Sequence, residues 1–139
     1  MPYVLASVKK HDLTVTHLLL THAHIDHIVD AGKLKKAFPV PLFIHKLDAP
    51  GLLHPRGKEM DVAFQSAEGM EADHLLEDGD FISVGNFSFQ VLFTPGHSLG
   101  VFVSMKKKSK LFFQEILCLK DVWDVWIFQD QILLLCGNH

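Results

Sequence analysis

Thr21-His22-Ala23-His24-Ile25-Asp26-His27 follows an apolar run, Val15 to Thr21, and opens a segment of helical spacing. The run is short, β-branched and leucine-rich, which is the composition of a central strand covered on both faces. In extended chain, residues two apart share a face, so His22 and His24 point the same way. As the chain turns into the helix, Asp26 and His27 face a second centre close to the first. Imidazole and carboxylate are the ligand types that zinc takes at a catalytic site. A lone H-x-H would carry little weight. A set of four ligand-type residues crowded into positions 22–27, at a strand-to-helix junction, points to a metal.

Outward from this stretch, Val4 to His11 reads as an amphipathic helix with Leu5 and Val8 opposite Lys9 and Lys10. A helix is expected from Asp26 to Phe38, carrying Ile28, Ala31, Leu34 and Phe38 at helical spacing, and stopped by Pro39 and Pro41. Leu42 to His45 reads as a strand, and Leu47 to Asp73 as a long surface excursion. Asp78-Gly79-Asp80 is a turn signal before a hairpin of Phe81 to Val84 and Phe87 to Phe93 across Gly85-Asn86. The second arm ends in Thr94-Pro95-Gly96-His97, a tight turn that presents another imidazole where a strand opens into a loop. Val101 to Ser104 and Leu111 to Phe113 read as a further hairpin, with the basic run Lys106 to Lys110 at its tip.

Ten of the 139 residues are His, a density that favours a metal site before any motif is considered. Of these, His11, His17, His45, His54 and His74 read as solvated or locally satisfied. A net charge of −3 with mixed signs leaves no footprint for nucleic acid or for an anionic membrane surface. No apolar run is long enough to span a bilayer. The N-terminal residues lack the basic-then-apolar order of a signal peptide, so a cytoplasmic location is expected. Cys118 and Cys136 do not suggest a disulfide framework.

The H-x-H-x-D-H motif after an apolar strand, with T-P-G-H downstream, resembles the metallo-β-lactamase superfamily. Glu77-Asp78-Gly79-Asp80 leading to Val84-Gly85, then Phe87 to Gly100, is similar to its glyoxalase-II-like (hydroxyacylglutathione hydrolase-like) branch. The resemblance runs from Val4 to Phe113. It implies an α/β fold, the αββα metallo-β-lactamase sandwich, and a zinc-dependent hydrolase of ester or thioester bonds. It also implies that His22, His24 and His97 hold metal one, while Asp26 and His27 supply part of metal two. One or two zinc ions are implied, with iron or manganese as other occupants. In that chemistry a metal-bound hydroxide, oriented by Asp26, attacks the carbonyl carbon of a small-molecule thioester such as hydroxyacyl-glutathione. Persulfide dioxygenases share the fold, so an iron-dependent oxygenase is the alternative reading. An inactive metal-binding remnant is the third.

The chain departs from the family pattern in three ways. Strands before the first helix, a G-D-x-L-F segment whose Asp bridges the metals, and a final His ligand have no counterpart. Phe113-Gln114-Glu115-Ile116-Leu117-Cys118 stands where G-D-x-L-F is expected, and Glu115 is the positional surrogate for its carboxylate. The sandwich is therefore expected to be incomplete, with its first strands and C-terminal half missing, and activity to be impaired.

The tail also changes character, since both Trp and both Cys lie after Phe113. Read from the third base of each codon, Gln114-Glu115 must encode Gly or Arg, and Glu115-Ile116 must encode Asp or Asn. Trp123-Asp124 forces Gly, and Trp126-Ile127 forces Asp. With permitted codons the segment becomes S-G-D-T-L-F-K-G-R-V-G-R-V-D-F-P-G-S-D, which contains the absent G-D-x-L-F. Phe112-Phe113 implies a run of T bases where one is easily lost. The expected organisation is a partial metallo-β-lactamase-like domain over residues 1–113 and a frameshift-derived tail over 114–139, its apolar run Ile132 to Cys136 and its two Trp lying loosely on the surface or disordered.

Overall fold

The first helix, α1 (Pro2–Lys10), buries Val4 and is followed by Asp12, whose φ of 50° turns the chain into the first strand. Aspartate tolerates that left-handed conformation better than most residues. Strand β1 (Thr14–Leu20) then enters the interior, with Leu18 and Leu20 fully buried on one face and Leu19 on the other. The computed structural model describes residues 2–84, 87–100, 102–106, 112–113, 127–129 and 132–137, and from 102 onward that description is of backbone path and pairing.

The helix expected over Asp26 to Phe38 is present as two, α2 (Ile25–Ile28) and α3 (Ala31–Ala37). The break falls at Val29-Asp30. Asp30 sits at the N-cap position of α3 and takes Lys33 Nζ at 2.7 Å, while Gly32 follows at once. Asp favours helix starts over interiors and Gly weakens an interior, so local chemistry overrides the apolar period here.

Strand β2 (Leu42–His45) runs parallel to β1, pairing Leu18 with Leu42 and Leu19 with Phe43. The surface excursion expected over Leu47 to Asp73 is more structured than its composition suggests. It holds a short helix, α4 (Ala49–Leu53), and a 3-10 turn (Val62–Ser66), and it buries Leu52 and Ala67 in the main core. Beyond it, β3 (His74–Leu76) pairs parallel with β2, an addition the sequence pattern did not reveal. Asp73 secures this edge. Its carboxylate accepts the Leu42 N–H at 2.7 Å and pairs with Lys35 on α3, and its own N–H donates to the Leu42 carbonyl.

The second sheet begins as expected, with β4 (Phe81–Val84), β5 (Phe87–Phe93), β6 (Phe102–Lys106) and β7 (Phe112–Phe113) antiparallel in that order. Before it, Gly79 takes a φ of 85° in the Asp78–Asp80 turn, and Asp78 Oδ1 accepts the Phe93 N–H at 2.9 Å. Ile82, Phe89 and Val91 are buried on this sheet. Stacking of His45 on Phe93, with ring centroids 4.8 Å apart, joins β2 to β5 and ties the two sheets together. The helices pack on the outer face of the first sheet, through a core of Val4, Leu18, Leu20, Ile28, Leu34 and Ile44 among others. Each such aliphatic side chain, fully buried, contributes about 1.5–3 kcal/mol. The result is the mixed α/β, two-sheet arrangement expected. No helix among the described residues is long and apolar enough to cross a membrane.

Within the tail, the apolar run Ile132 to Cys136 is paired where a loose or disordered segment was expected. Residues 132–137 form β9 (Ile132–Gly137), antiparallel to β1 from Leu20↔Ile132 to Thr14↔Gly137, with β8 (Ile127–Gln129) beyond it. The first sheet therefore reads β3-β2-β1-β9-β8. A free edge on a buried strand presents unpaired N–H and C=O groups, and the backbone of a β-competent apolar run satisfies them. Residues 114–126, with Glu115, Cys118 and both Trp, and the end of the chain with His139, lie outside the described residues.

Candidate metal centre

Two turns build the site, one at the end of β1 and one at the end of β5. After Leu20 the chain stays extended through His24, which has φ −70° and ψ 149° and precedes the first turn of α2. His22 and His24, two apart in extended chain, point to the same side, but His22 lies deeper and is fully buried while His24 remains exposed. Thr21 Oγ1 lies 3.1 Å from His22 Nδ1 and fixes the ring's orientation. From the other side, Gly96 takes a φ of 155°, which L-residues rarely adopt, and the turn lifts His97 toward the first pair.

The three imidazoles converge. Ring centroids are 4.6 Å apart for His22 and His24, 4.6 Å for His24 and His97, and 4.9 Å for His22 and His97. His24 Nδ1 lies 3.1 Å from His97 Nε2. One nitrogen from each of the three falls within 4.8 Å of the others. At the tetrahedral angles of zinc, ligands bonded at about 2.0–2.1 Å stand about 3.4 Å apart, so a closure of about an ångström or somewhat more brings all three onto one ion. The donor set fits zinc, which takes three protein ligands and leaves a position open at catalytic sites. Burial, helped by the neighbouring His27, His24 and His97, lowers the His22 pKa to about 4 against a smaller opposing pull from Asp48. The buried ring is therefore neutral at physiological pH, the form in which imidazole binds metal.

Asp26 and His27 lie beside this group. His27 is buried against His22, with ring centroids 3.8 Å apart, and its Nε2 is 3.3 Å from Asp26 Oδ2. Asp26 is more than half exposed, at 58%, and so faces solvent at the mouth of the site. The remaining histidines sit elsewhere. His45 accepts the Leu47 N–H and stacks on Phe93, His17 contacts Thr16 and Phe43, and His74 stacks on Phe43. His11 and His54 are exposed.

Sequence reasoning missed Asp48. Its carboxylate is 7% exposed and reaches both turns, accepting from Ala23 N at 3.2 Å, Ser98 Oγ at 2.7 Å and Gly100 N at 2.9 Å. The available signal was Asp48-Ala49-Pro50 directly after a strand, a helix-start pattern with Pro inside the first turn.

Comparison with known proteins places these observations among relatives. The description of the metallo-beta-lactamase superfamily matches residues 2–112. An uncharacterized protein of Aquifex aeolicus is 36% identical over 112 residues, covering 78% of this chain and 50% of that protein. A hydroxyacylglutathione hydrolase of Bdellovibrio bacteriovorus is 33% identical over 110 residues, covering 79% of this chain and 37% of the hydrolase. Among solved structures, the BLEG-1 B3 metallo-beta-lactamase superposes with a TM-score of 0.70 at 30% identity, over 82% of this chain and 58% of that one. The chain thus spans about half the length of its Aquifex relative and less of the hydrolase.

Proposed function

The chain belongs to the metallo-β-lactamase superfamily, a family of metallo-hydrolases, and on that premise we propose that residues 1–113 carry a zinc centre for thioester hydrolysis. The observation that carries the reading is the convergence of His22, His24 and His97 at the ends of two strands from different sheets. The likeness to a hydroxyacylglutathione hydrolase supports a small thioester as the substrate class. Zinc, when bound, supplies Lewis acidity toward a carbonyl oxygen and lowers the pKa of water. His22, His24 and His97 hold it. Asp26, exposed and 3.3 Å from the His27 ring that packs on His22, would accept a hydrogen bond from the attacking water and orient it. Buried His27, 3.3 Å from that carboxylate, steadies Asp26 in turn.

We further propose that residues 114–139 are translated from a neighbouring reading frame, and that the carboxylate of the G-D-x-L-F segment is thereby lost from this chain. Asp26 and His27 alone fall short of the three protein ligands typical of catalytic zinc. The protein should then take up close to one zinc per chain and turn over thioesters slowly. Zinc content after dialysis, with release of thiol from S-lactoylglutathione, tests both points. Failure to retain zinc at all would overturn the metal assignment.

A further inference from the structure

The two halves of the histidine set come from segments far apart in the chain, and a single carboxylate reaches both. Asp48 Oδ2 accepts the N–H of Ala23, the residue between His22 and His24, and also the hydroxyl of Ser98, the neighbour of His97. Its Oδ1 accepts the Gly100 N–H on the far side of the same turn. Apart from the direct His24–His97 contact, Asp48 is the residue among the described hydrogen bonds that joins the β1 turn to the β5 turn.

The clamp is itself anchored. Asp48 N donates to the His45 carbonyl at the end of β2, and the Asp48 carbonyl accepts from Gly51 and Leu52 in α4. Packing around it is close. A Cβ on Gly100 would stand 2.8 Å from Asp48 N and 3.0 Å from its carboxylate, and a Cβ on Gly51 would stand 3.0 Å from that of Ala23. Only an ionised carboxylate offers two acceptor oxygens to three converging donors; an amide of the same shape turns N–H toward one side of the set. Charged acceptors also form the stronger hydrogen bonds, and at 7% exposure little water competes for them.

We propose that Asp48 is a positioning residue that locks the His22/His24 turn and the His97 turn in register, so that the three imidazoles are pre-aligned before an ion arrives. This rests on the metal reading above and deepens it. Asp48 need not touch the ion or the substrate; it acts through the backbone on either side of the ligands.

The test uses the full chain, metal-free, with Co(II) and Zn(II) as probes. Asp48→Asn should weaken both dissociation constants by about 10–100-fold, the loss found when partners that orient metal ligands are removed. It should also alter the visible spectrum of bound Co(II), which a uniformly weakened fold would leave unchanged. Ser98→Ala, which leaves both backbone bonds to the carboxylate, should lose less. Gly100→Ala should reproduce Asp48→Asn, because its Cβ displaces the same carboxylate. In the metal-free protein, amide exchange in Asp48→Asn should rise at Ala23 and Gly100 while Leu18 and Val91 stay protected. Unchanged Co(II) affinity and spectrum in both Asp48→Asn and Gly100→Ala would overturn the proposal, as would an even rise in exchange along the chain. A wild-type chain that takes up no Co(II) sinks the metal reading instead, and the exchange pattern then decides on the clamp alone.

Discussion

Strands β1 and β9 lie side by side in one sheet, yet they are held there by different kinds of information. β1 is tied in through its side chains: Leu18 and Leu20 are fully buried under the helices, Leu19 is buried on the other face, and the strand delivers His22 into the site. β9 lies in the segment proposed above to be read from a neighbouring frame, and its backbone pairs along β1 with an irregularity between Val15 and His17. The contrast separates two requirements of a folded site. Any apolar, β-competent run can satisfy a vacant strand edge, because N–H and C=O groups are the same in every residue. A metal centre needs particular side chains at particular positions, and no amount of backbone pairing supplies them.

The largest effect expected from this contrast is on turnover. A protein with the neighbouring frame restored after Phe113 should hydrolyse thioesters faster than this chain by orders of magnitude, since the missing carboxylate and the following segment return together. Equal rates would show that the tail, as written, is functional protein. The DNA gives the companion test: a run of T bases at Phe112-Phe113, followed by an open, family-like adjacent frame, is the expected finding.

Next in size is His22→Ala, which removes the buried member of the proposed ligand set. Zinc affinity measured by competition titration should fall beyond the roughly 10–100-fold range expected for orienting partners. By contrast, shuffling the order of Ile132 to Cys136 should leave zinc affinity unaltered if that strand contributes through its backbone ladder. A large loss from the shuffle would erase the distinction between the two strands.

A stability comparison sharpens it further. Leu18→Ala should cost about 2–5 kcal/mol in chemical denaturation, the range for truncating a large aliphatic core residue. The smallest effect concerns acid. The Lys35 ammonium, then the Leu42 N–H, holds the Asp73 carboxyl below its ordinary value. The associated stability is present above about pH 4, the usual carboxylate value, and is lost as pH falls through the depressed one. Asp73→Asn should therefore flatten the acid limb of the unfolding curve, by no more than about 1 kcal/mol for so exposed a pair.

Much of the first region was legible before any coordinates. The histidine motif could be read because ligand chemistry confines it to few residue types at short spacing. The hairpin of β4 and β5 was legible because alternation and Gly85-Asn86 agree. What escaped was non-local. Asp48 looks like any helix-capping aspartate until β2 brings it between two turns remote in sequence. Three-residue β3 is too short to show a period, and the helix break at Asp30 was masked by apolar positions that continue across it. The tail erred in the opposite direction: lacking a designed pattern, it was expected to lie loose, and the open edge of β1 recruits its backbone regardless.

The burial gradient across the three imidazoles carries a consequence for how the centre is filled and emptied. His24 and His97 stand at the surface and His22 at the bottom. An incoming ion would exchange water for the outer pair first and reach the inner ring last. A chelator in solution would meet the ion on its outer face, so the exposed pair would give it up before buried His22 does. A reagent that acylates histidine would likewise find two open doors and one closed one, which makes the outer pair the natural place to intercept the site.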